Sequence, residues 1–329
     1  MGRMKKRVLS GIQPTGRLHL GNLIGAVENW VKLQHEYDCF FFIADFHALT
    51  TAYADTKDLR EDIKQLAIDL LSAGIDPAKC VLFRQSDVPE HAELHLLFSM
   101  ITPLPWLERV PTYKSKIAEL KERDLGTYGF LGYPVLQAAD ILIYKANMVP
   151  VGEDQLPHLE LTREIARRFN YLYQELFPEP QGALTAFPVL PGTDGRKMSK
   201  SYQNTIALAD PPATVRKKVG IMVTDPARIK KEDKGHPDIC PVYAYYRVFA
   251  KERTDLVAQE CRAAERGCVD CKKELAQLLI DYLAPLHARR AQFEQEPERL
   301  EKILAAGAQK ARAVAAQTLA EAKKAVGLR

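Results

Sequence analysis

The stretch CFFFIA at residues 39–44 is apolar at every position, and it constrains the fold more than any other feature. A run of this length is far too short to cross a membrane. Strands of parallel sheets, which are buried on both faces, have this composition. Similar short segments at 7–11 and 79–84 alternate with helical patterns over about 20–35 and 57–73. This alternation predicts a parallel sheet covered on both faces by helices.

The second half of the chain has a different pattern. After about residue 205 the strand signals fade, and apolar residues recur at helical spacing to the end. We therefore expect an α/β domain over 1–204, with a Rossmann-like doubly wound parallel sheet, followed by an all-helical domain over 205–329. The terminal helix of the second domain can pack back on the first. A length of 329 residues is compatible with two domains.

The charge and the N-terminal segment indicate the class of protein and its compartment. A net charge of +4 permits nucleic-acid binding without demanding it. The start MGRMKKRVLSGI is basic but lacks the apolar stretch of a secretory signal, and no segment is long enough to span a membrane. We therefore expect a cytoplasmic protein, in which clustered cysteines hold a metal more often than they form disulfides.

The segment PTGRLHLGN, at residues 14–22, lies where the first strand leads into the first helix. Ligands of α/β sheets bind at this kind of junction. Amide groups at a helix N-terminus, beside a glycine that permits close approach of the backbone, suit a phosphate. Taken alone, the segment is equally compatible with an ordinary helix start that carries a surface histidine.

The segment GRKMSKS, at residues 195–201, places two lysines among small hydroxyl residues. Ammonium groups in such a loop can stabilise the negative charge that develops in phosphoryl-type transition states. A solvated basic loop is the alternative interpretation.

Together, the two segments resemble the signature pair of class I aminoacyl-tRNA synthetases. The segments SGIQPTGRLHLGN, ADFHALT, YPVLQAADIL and VPVGEDQ are similar to the tryptophanyl enzymes in particular, and the resemblance covers nearly the whole chain. Asn22 replaces the second histidine of the usual His-Ile-Gly-His, as it commonly does in tryptophanyl enzymes. The implied activity is activation of tryptophan with ATP to tryptophanyl-adenylate and pyrophosphate, then transfer to the 3′-terminal ribose of tRNA(Trp).

The resemblance also implies an ATP site that needs no protein nucleophile, so that catalysis would depend on positioning and electrostatics. His19, Lys197 and Lys200 would be catalytic, and Mg²⁺ would accompany the triphosphate. The implied ATP-binding residues are Gln13, Pro14, Thr15, His19, Gly21, Asn22, Lys114, Lys116, Gly152, Glu153, Asp154, Lys197, Met198, Ser199, Lys200 and Ser201. An exposed helix face is an equally good interpretation of Lys114 and Lys116.

Amino-acid recognition is expected on one helix face, because positions 133, 137 and 140 follow helical spacing. A carboxylate at Asp140 can accept a hydrogen bond from the indole N–H, which is a donor only. The tryptophan site that the resemblance implies consists of His47, Tyr133, Gln137, Asp140 and Gln155.

His47 has two interpretations. If the strand 39–44 continued, His47 would face the same way as Asp45, two residues earlier. The resemblance places His47 in the pocket, and a buried core histidine is the alternative.

Three other functions share part of the pattern. A tyrosyl-tRNA synthetase has the same fold and both signatures, and its phenol substrate is also a hydrogen-bond donor. A small-molecule nucleotidyltransferase shares the first signature but lacks the second and the long helical half. A non-catalytic RNA-binding paralogue is the third, and the presence of His19 and Lys200 argues against it.

Four cysteines of the second half have the spacing C-x20-C-x6-C-x2-C. Four thiolates fit either Zn²⁺ or an iron–sulfur cluster, although the paired C-x2-C knuckles of zinc ribbons are absent. A subset of bacterial tryptophanyl enzymes carries a 4Fe-4S cluster on the similar pattern C-x22-C-x6-C-x2-C, so the resemblance implies such a cluster. The alternatives are Zn²⁺ and thiols without a bound metal. The implied ligands are Cys240, which matches least well, Cys261, Cys268 and Cys271.

The two remaining cysteines, Cys39 and Cys80, lie in apolar segments and are expected in the core. The partners that the resemblance implies are tryptophan, tRNA(Trp) and a second copy of the chain in a homodimer, with the helical half binding the anticodon.

Overall fold

The computed structural model describes residues 5–111, 113–114, 125–184, 190–230 and 232–328. Within these ranges, five strands form one fully parallel sheet in the spatial order β3-β2-β1-β4-β5. The strands are β1 (Arg7–Ile12), β2 (Asp38–Ile43), β3 (Val81–Arg84), β4 (Met148–Val151) and β5 (Gln181–Leu184).

Strand β2 shows why an unbroken apolar run is needed at this place. Phe40 and Phe42 pack into the hydrophobic cluster on one face of the sheet, and Cys39 and Phe41 pack into the cluster on the other. Both faces are buried, as in parallel sheets generally. The predicted α/β fold with a parallel sheet is therefore confirmed. Strand β5 was not predicted, because four residues that include Gly182 carry little strand signal.

The helices of the first half follow the predicted pattern with small differences in their ends. A π-helical turn over Leu23–Val27 joins α1 to α2, so that one helical stretch runs to Leu33 rather than to residue 35. Helix α4 ends at Gly74, whose φ of +114° is left-handed and therefore favours glycine. These helices are α1 (Leu20–Asn22), α2 (Glu28–Leu33), α3 (Asp45–Ala52), α4 (Leu59–Ala73), α5 (Glu90–Ser99), α6 (Leu104–Glu108), α7 (Tyr128–Ile143) and α8 (Leu156–Leu172).

Helices make up the regular structure of the described chain from Pro212 onward, apart from short 3₁₀ turns. The last helix lies on β3 and α5, and Gly307 permits this approach, since a Cβ there would be 1.8 Å from the Leu82 carbonyl oxygen. No described helix has the length and hydropathy that a membrane crossing requires. These helices are α9 (Pro212–Gly220), α10 (Pro241–Phe249), α11 (Thr254–Arg262), α12 (Cys268–Gln295) and α13 (Pro297–Ala325).

Candidate active site

A cavity of about 270 Å³ lies at the carboxyl ends of β1 and β4. The strand order reverses between these two strands, and ligands of open α/β sheets bind at such a switch point. All five residues predicted to bind the amino acid line this cavity, together with Gln13. The polar lining residues are Ser10, Gln13, His47, Tyr133, Gln137, Asp140, Gln155 and His158.

Asp140 is as deeply buried as any of these polar residues, with 1% of its surface exposed. Its Oδ1 accepts a hydrogen bond from the Gln85 amide at 2.7 Å and lies 2.6 Å from Nδ1 of His91. Its Oδ2 lies 2.8 Å from Nε2 of His47. Burial alone raises the pKa of Asp140, but the hydrogen bonds from His47 and His91 outweigh it and hold the pKa well below its ordinary value. The carboxylate is therefore ionised and oriented.

Three side chains behind Asp140 were not predicted from the sequence. Gln85 and His91 contact the carboxylate directly, and the Tyr144 hydroxyl lies 2.7 Å from Nε2 of His91. His91 and Tyr144 have no measurable exposure. The one available signal was that Tyr144 falls on the helix face of positions 133, 137 and 140.

His47 lies in the cavity wall, as the resemblance implied, but its local structure differs from the prediction. The strand does not continue past Ile43, and helix α3 begins at Asp45. Asp45 is turned away to accept hydrogen bonds from the backbone amides of Phe46 and Ser86, both at 3.0 Å. The condition under which Asp45 and His47 would face one way, a strand that continues to residue 47, is therefore not met.

His19 is the N-cap of α1 and is 7% exposed. Its Nδ1 accepts a hydrogen bond from the Asn22 backbone amide, and its own backbone amide donates to Asn22 Oδ1, both at 3.2 Å. Asn22 in place of a second histidine thus completes a capping box. Burial, and then the nearby ammonium group of Lys200, lowers the pKa of His19 to about 4. The imidazole is neutral at pH 7, and its proton is assigned to Nε2 because Nδ1 is an acceptor.

The two signature segments meet at Lys200. Its Nζ donates to the carbonyl oxygens of Thr15, at 2.8 Å, and Gly16, at 2.9 Å. Burial lowers the pKa of Lys200, and the carboxylates of Asp62 and Asp69 oppose this shift. A second contact joins the same two segments: the Gly21 amide nitrogen lies 3.4 Å from Met198 Sδ, although the two residues are 177 positions apart in the sequence.

The loop that carries the lysines is organised by Asn204. Its Oδ1 accepts from the Ser199 amide at 2.8 Å, and its Nδ2 donates to Asp194 at 2.7 Å and to the Lys197 carbonyl at 3.2 Å. The Lys197 side chain is exposed, whereas Met198 is buried. The loop is thus fixed from within, with one lysine directed to the first signature and the other at the surface.

The remaining predicted ATP residues of the described ranges do not line the cavity. The residues Glu153–Gln155 form a 3₁₀ turn directly after β4, and Gln155 lines the cavity. Ser201 and Lys114 are exposed. Lys116 lies outside the described residues.

The cysteines of the second half all line one small pocket. Arg228 and Arg266 line it as well, and Arg228 Nη1 lies 4.0 Å from Cys261 Sγ. Burial raises the pKa of Cys261, and it raises the pKa of Cys271 to about 11. No three His, Cys, Asp or Glu side chains of the described ranges are arranged as ligands of a single ion. The cysteines of this pocket are Cys240, just before α10, Cys261, in α11, and Cys268 and Cys271, in the first turn of α12.

A Cβ at Gly235 would lie 2.4 Å from Cys261 Sγ, so only glycine lets the 235 loop approach this thiol. The other two cysteines, Cys39 and Cys80, are buried in the core, as predicted.

The chain matches a protein family and several known proteins over nearly its whole length. Residues 3–284 match the family described as tRNA synthetases class I (W and Y). The tryptophan–tRNA ligase of Thermotoga maritima is 54% identical over 325 residues, which cover 98% of this chain and 99% of that one. The tryptophan–tRNA ligase of Aquifex aeolicus is 46% identical over 393 aligned residues, which cover 98% of this chain and 100% of that one.

A solved structure matches as well. The crystal structure of tryptophanyl-tRNA synthetase from Campylobacter jejuni, complexed with ADP and tryptophan, superposes with a TM-score of 0.90 at 36% sequence identity. The match covers 98% of this chain and 100% of that one.

Proposed function

This chain belongs to the class I tRNA synthetases of the tryptophan and tyrosine family, and we propose that it is the tryptophan–tRNA ligase of that family. The reaction is formation of tryptophanyl-adenylate and pyrophosphate from tryptophan and ATP, followed by transfer of tryptophan to the 3′-terminal ribose of tRNA(Trp). The observation that carries the proposal is the contact between the two signature segments, through Lys200 and the carbonyls of Thr15 and Gly16, beside the polar cavity.

The tryptophan side chain is proposed to occupy the cavity, with its indole N–H donating to Asp140. A carboxylate oxygen has two lone-pair positions. Oδ1 already has two partners, Gln85 and His91, whereas Oδ2 has one, His47, and so retains one position for a further donor. A site that hydrogen-bonds its substrate rejects analogues that lack the donor, because its buried polar group would lose a partner. This arrangement favours an indole over the phenylalanine ring.

The other predicted amino-acid residues surround the same space. The Tyr133 hydroxyl lies 2.6 Å from His158 Nε2, so its ring is fixed at the cavity wall. Gln137 is one turn along α7 from Tyr133, and Gln155 is the last residue of the 3₁₀ turn that follows β4. We propose that Gln137 and Gln155 contact the polar backbone groups of the substrate, because amides offer both donors and acceptors.

The ATP phosphates are proposed to lie between the two signature segments. The Nε2–H of His19 is the donor that the neutral imidazole offers, and the helix start over Leu20–Asn22 carries amides beside Gly21. Lys200 would exchange its two carbonyl partners for phosphate oxygens, and Lys197 would approach from the surface. The other proposed ATP contacts are Gln13, Pro14, Thr15, Asn22, Gly152, Glu153, Asp154, Met198, Ser199 and Ser201, with Lys114 and Lys116 as outer cations.

Catalysis on this proposal is positioning and electrostatic stabilisation. The tryptophan carboxylate attacks the α-phosphate, the bond to pyrophosphate breaks, and the leaving group takes the electron pair. Mg²⁺ accompanies the triphosphate as part of the substrate. The ammonium groups of Lys197 and Lys200 stabilise the charge that grows on the leaving pyrophosphate, and His19 donates to a phosphate oxygen without carrying charge itself.

We further propose that the cysteine pocket holds a 4Fe-4S cluster, with Zn²⁺ as the alternative. The residue types suit the cluster, because four thiols from three segments line one pocket. Binding would have to rearrange them, since no three of the described side chains lie as ligands of one ion. Arg228 and Arg266 supply positive charge beside thiolates that are otherwise costly to ionise where they are buried. When bound, the cluster would cross-link the segments around α10, α11 and α12 in the proposed cytoplasmic protein. Its role is structural, since aminoacylation transfers no electrons.

A homodimer is also proposed, through an apolar face at one edge of the first half. Leu96, in the last turn of α5, is 54% exposed, and Met100, which caps the C-terminus of that helix, is 71% exposed. Tyr128, which is 65% exposed, adds to the same region, since its ring lies 6.5 Å from that of His95 on α5. Exposed apolar patches of this kind mark interaction sites. Sedimentation equilibrium tests the proposal, and a monomer at micromolar concentration would contradict it.

The test of the proposed reaction is ATP–pyrophosphate exchange measured with each amino acid in turn. We expect tryptophan to support exchange and tyrosine to support little. Preference for tyrosine would favour the tyrosyl alternative. Exchange with no amino acid would favour a small-molecule nucleotidyltransferase or a non-catalytic RNA-binding protein. Where tryptophan does support exchange, a separate assay of tRNA(Trp) charging distinguishes the transfer step from the activation step.

A further inference from the structure

Leu18, the residue before His19, is held at both of its backbone polar groups by distant parts of the chain. Its N–H donates to Asp69 Oδ2 at 2.9 Å, and its carbonyl accepts from the Leu208 amide at 2.9 Å. Leu18 is 1% exposed, so both hydrogen bonds are shielded from water. Because Leu18 is covalently joined to His19, these bonds fix where α1 begins.

Asp69 lies on α4 and is fully buried. Its second oxygen, Oδ1, forms an ion pair with Arg290 of α12, which is 4% exposed. A buried carboxylate without a partner is strongly unfavourable. Arg290 also donates to Gln65, one turn before Asp69 on α4, so the guanidinium is fixed by two residues of that helix. The two carboxylate oxygens thus have different partners: Oδ2 accepts from the Leu18 amide, and Oδ1 pairs with the Arg290 guanidinium.

The same face of α12 also contacts the residue that binds the Leu18 carbonyl. His287 precedes Arg290 by three residues, which places both side chains on one helix face. Nε2 of His287 lies 2.7 Å from the carbonyl oxygen of Leu208, the residue whose amide binds Leu18. The pairing continues at Leu20, whose amide donates to the Ile206 carbonyl at 3.0 Å. One helix of the second half therefore supports the start of α1 from two sides.

We propose that Asp69 and Arg290 are positioning residues for ATP activation. They fix Leu18, and through it they fix the imidazole of His19 and the amides at the start of α1 where the phosphates bind. The inference rests on the proposed function, because it takes ATP to bind at His19. Neither side chain lines the cavity. Arg290 acts through Asp69, and Asp69 acts through Leu18 and through its negative charge, which favours the ammonium form of Lys200.

Substitution of Asp69 by asparagine disrupts one of the two contacts of its carboxylate. An amide replaces one of the two carboxylate oxygens with an NH2 donor, so either the Leu18 amide or the Arg290 guanidinium then faces a donor instead of an acceptor. Arg290→Lys keeps the charge, but an ammonium group lacks the planar fork that contacts Asp69 and Gln65 together. Both variants keep the approximate side-chain volume. The start of α1 should shift in both, with the larger effect in Asp69→Asn.

The matched control is Arg289→Met. Arg289 neighbours Arg290 on α12 and its Nε donates to the Ser72 carbonyl on α4 at 2.6 Å, but no hydrogen bond of Arg289 reaches Leu18. Its substitution therefore removes one cation and one contact between the same two helices. Each variant is compared with wild type for the Kd of ATP and of tryptophan by equilibrium dialysis, for ATP–pyrophosphate exchange, and for Tm.

We expect Asp69→Asn to weaken ATP binding and to lower kcat/KM for ATP by about tenfold to a hundredfold, as small misplacements of catalytic groups do. The tryptophan Kd should stay within about twofold of wild type, since the Asp140 network is untouched. The ATP affinity and kcat/KM of Arg290→Lys should lie between those of Asp69→Asn and wild type. Arg289→Met should have the wild-type Kd for both ATP and tryptophan.

Two results would overturn the inference. One is an unchanged ATP affinity in Asp69→Asn. The other is a loss of ATP and tryptophan affinity by the same factor, which would indicate a general loss of folded structure. Failure of the wild-type protein to exchange with tryptophan is a different outcome: it contradicts the proposed function, while the ATP affinities still decide whether Asp69 positions the phosphate site.

Discussion

His91 lies directly behind Asp140, with its Nδ1 2.6 Å from the carboxylate Oδ1 and with no exposure to solvent. The other ring nitrogen, Nε2, lies 2.7 Å from the Tyr144 hydroxyl. A carboxylate that accepts from Nδ1–H selects the tautomer in which Nε2 accepts from the tyrosine. The three side chains form a chain of hydrogen bonds that ends at the carboxylate proposed to accept from the indole N–H.

The first prediction follows from this chain. His91→Ala removes one of the two donors to Asp140 Oδ1, and we expect the tryptophan Kd to rise by about tenfold to a hundredfold, since hydrogen bonds to charged groups contribute about 1.5–3 kcal/mol. His91→Asn keeps a donor near the position of Nδ1 and should recover part of the affinity. Equilibrium dialysis with tryptophan measures both.

Asp140→Ala removes the carboxylate itself, so its effect should be at least as large as that of His91→Ala. We expect it to lose tryptophan affinity or discrimination against phenylalanine. His35→Ala, which removes an exposed histidine, is the control. Wild-type tryptophan affinity in His91→Ala would show that Gln85 and His47 alone are sufficient to orient the carboxylate.

The second prediction concerns Lys200, whose ammonium group is proposed to stabilise charge on the departing pyrophosphate. Lys200→Ala should lower kcat for adenylate formation by about a hundredfold to a thousandfold, with little change in the tryptophan Kd, because the interaction strengthens in the transition state. Single-turnover measurement of adenylate formation separates the two effects. Lys302→Ala, an exposed lysine of α13, is the control. An unchanged rate in Lys200→Ala would exclude a catalytic role.

The third prediction is a pH dependence caused by His19. Its pKa is lowered from 6.5 to about 4 by burial and by Lys200, so between these pH values the unfolded chain binds more protons than the folded chain. The free energy of unfolding should therefore fall as pH falls from about 6.5 to about 4. His19→Gln has no titrating group there, and its urea denaturation midpoints should depend less steeply on pH. Equal slopes for the two proteins would mean that His19 is not buried in solution.

The fourth prediction concerns the cysteine pocket. Anaerobically purified protein should be brown and contain about four irons per chain, as expected of four thiolate ligands to one cluster. Cys268→Ser should lose iron, and its Tm should fall because the cross-link between helical segments is lost. Cys39→Ala, in the core under the sheet, should keep its iron. A colourless protein with stoichiometric zinc and no iron would favour the zinc alternative.

Features that depend on local periodicity were predictable from the sequence. The run CFFFIA predicted a strand buried on both faces, because side chains alternate along a strand and every position was apolar. The spacing of Tyr133, Gln137 and Asp140 placed them on one helix face, and all three line the cavity. The start of α3 at Asp45 was not predictable, because no local signal there is strong enough to mark a helix N-terminus.

The sequence alone therefore determined the alternation of strands and helices in the first half, the two signature segments and the spacing of the cysteines. The tertiary structure decided which polar groups meet. His91 and Gln85 reach Asp140 across 49 and 55 residues, and Lys200 reaches Thr15 across 185. Arg290 meets Asp69 across 221 residues. Such pairs form because burial makes an unpartnered polar group costly, and only the packing of distant helices determines which partner is available.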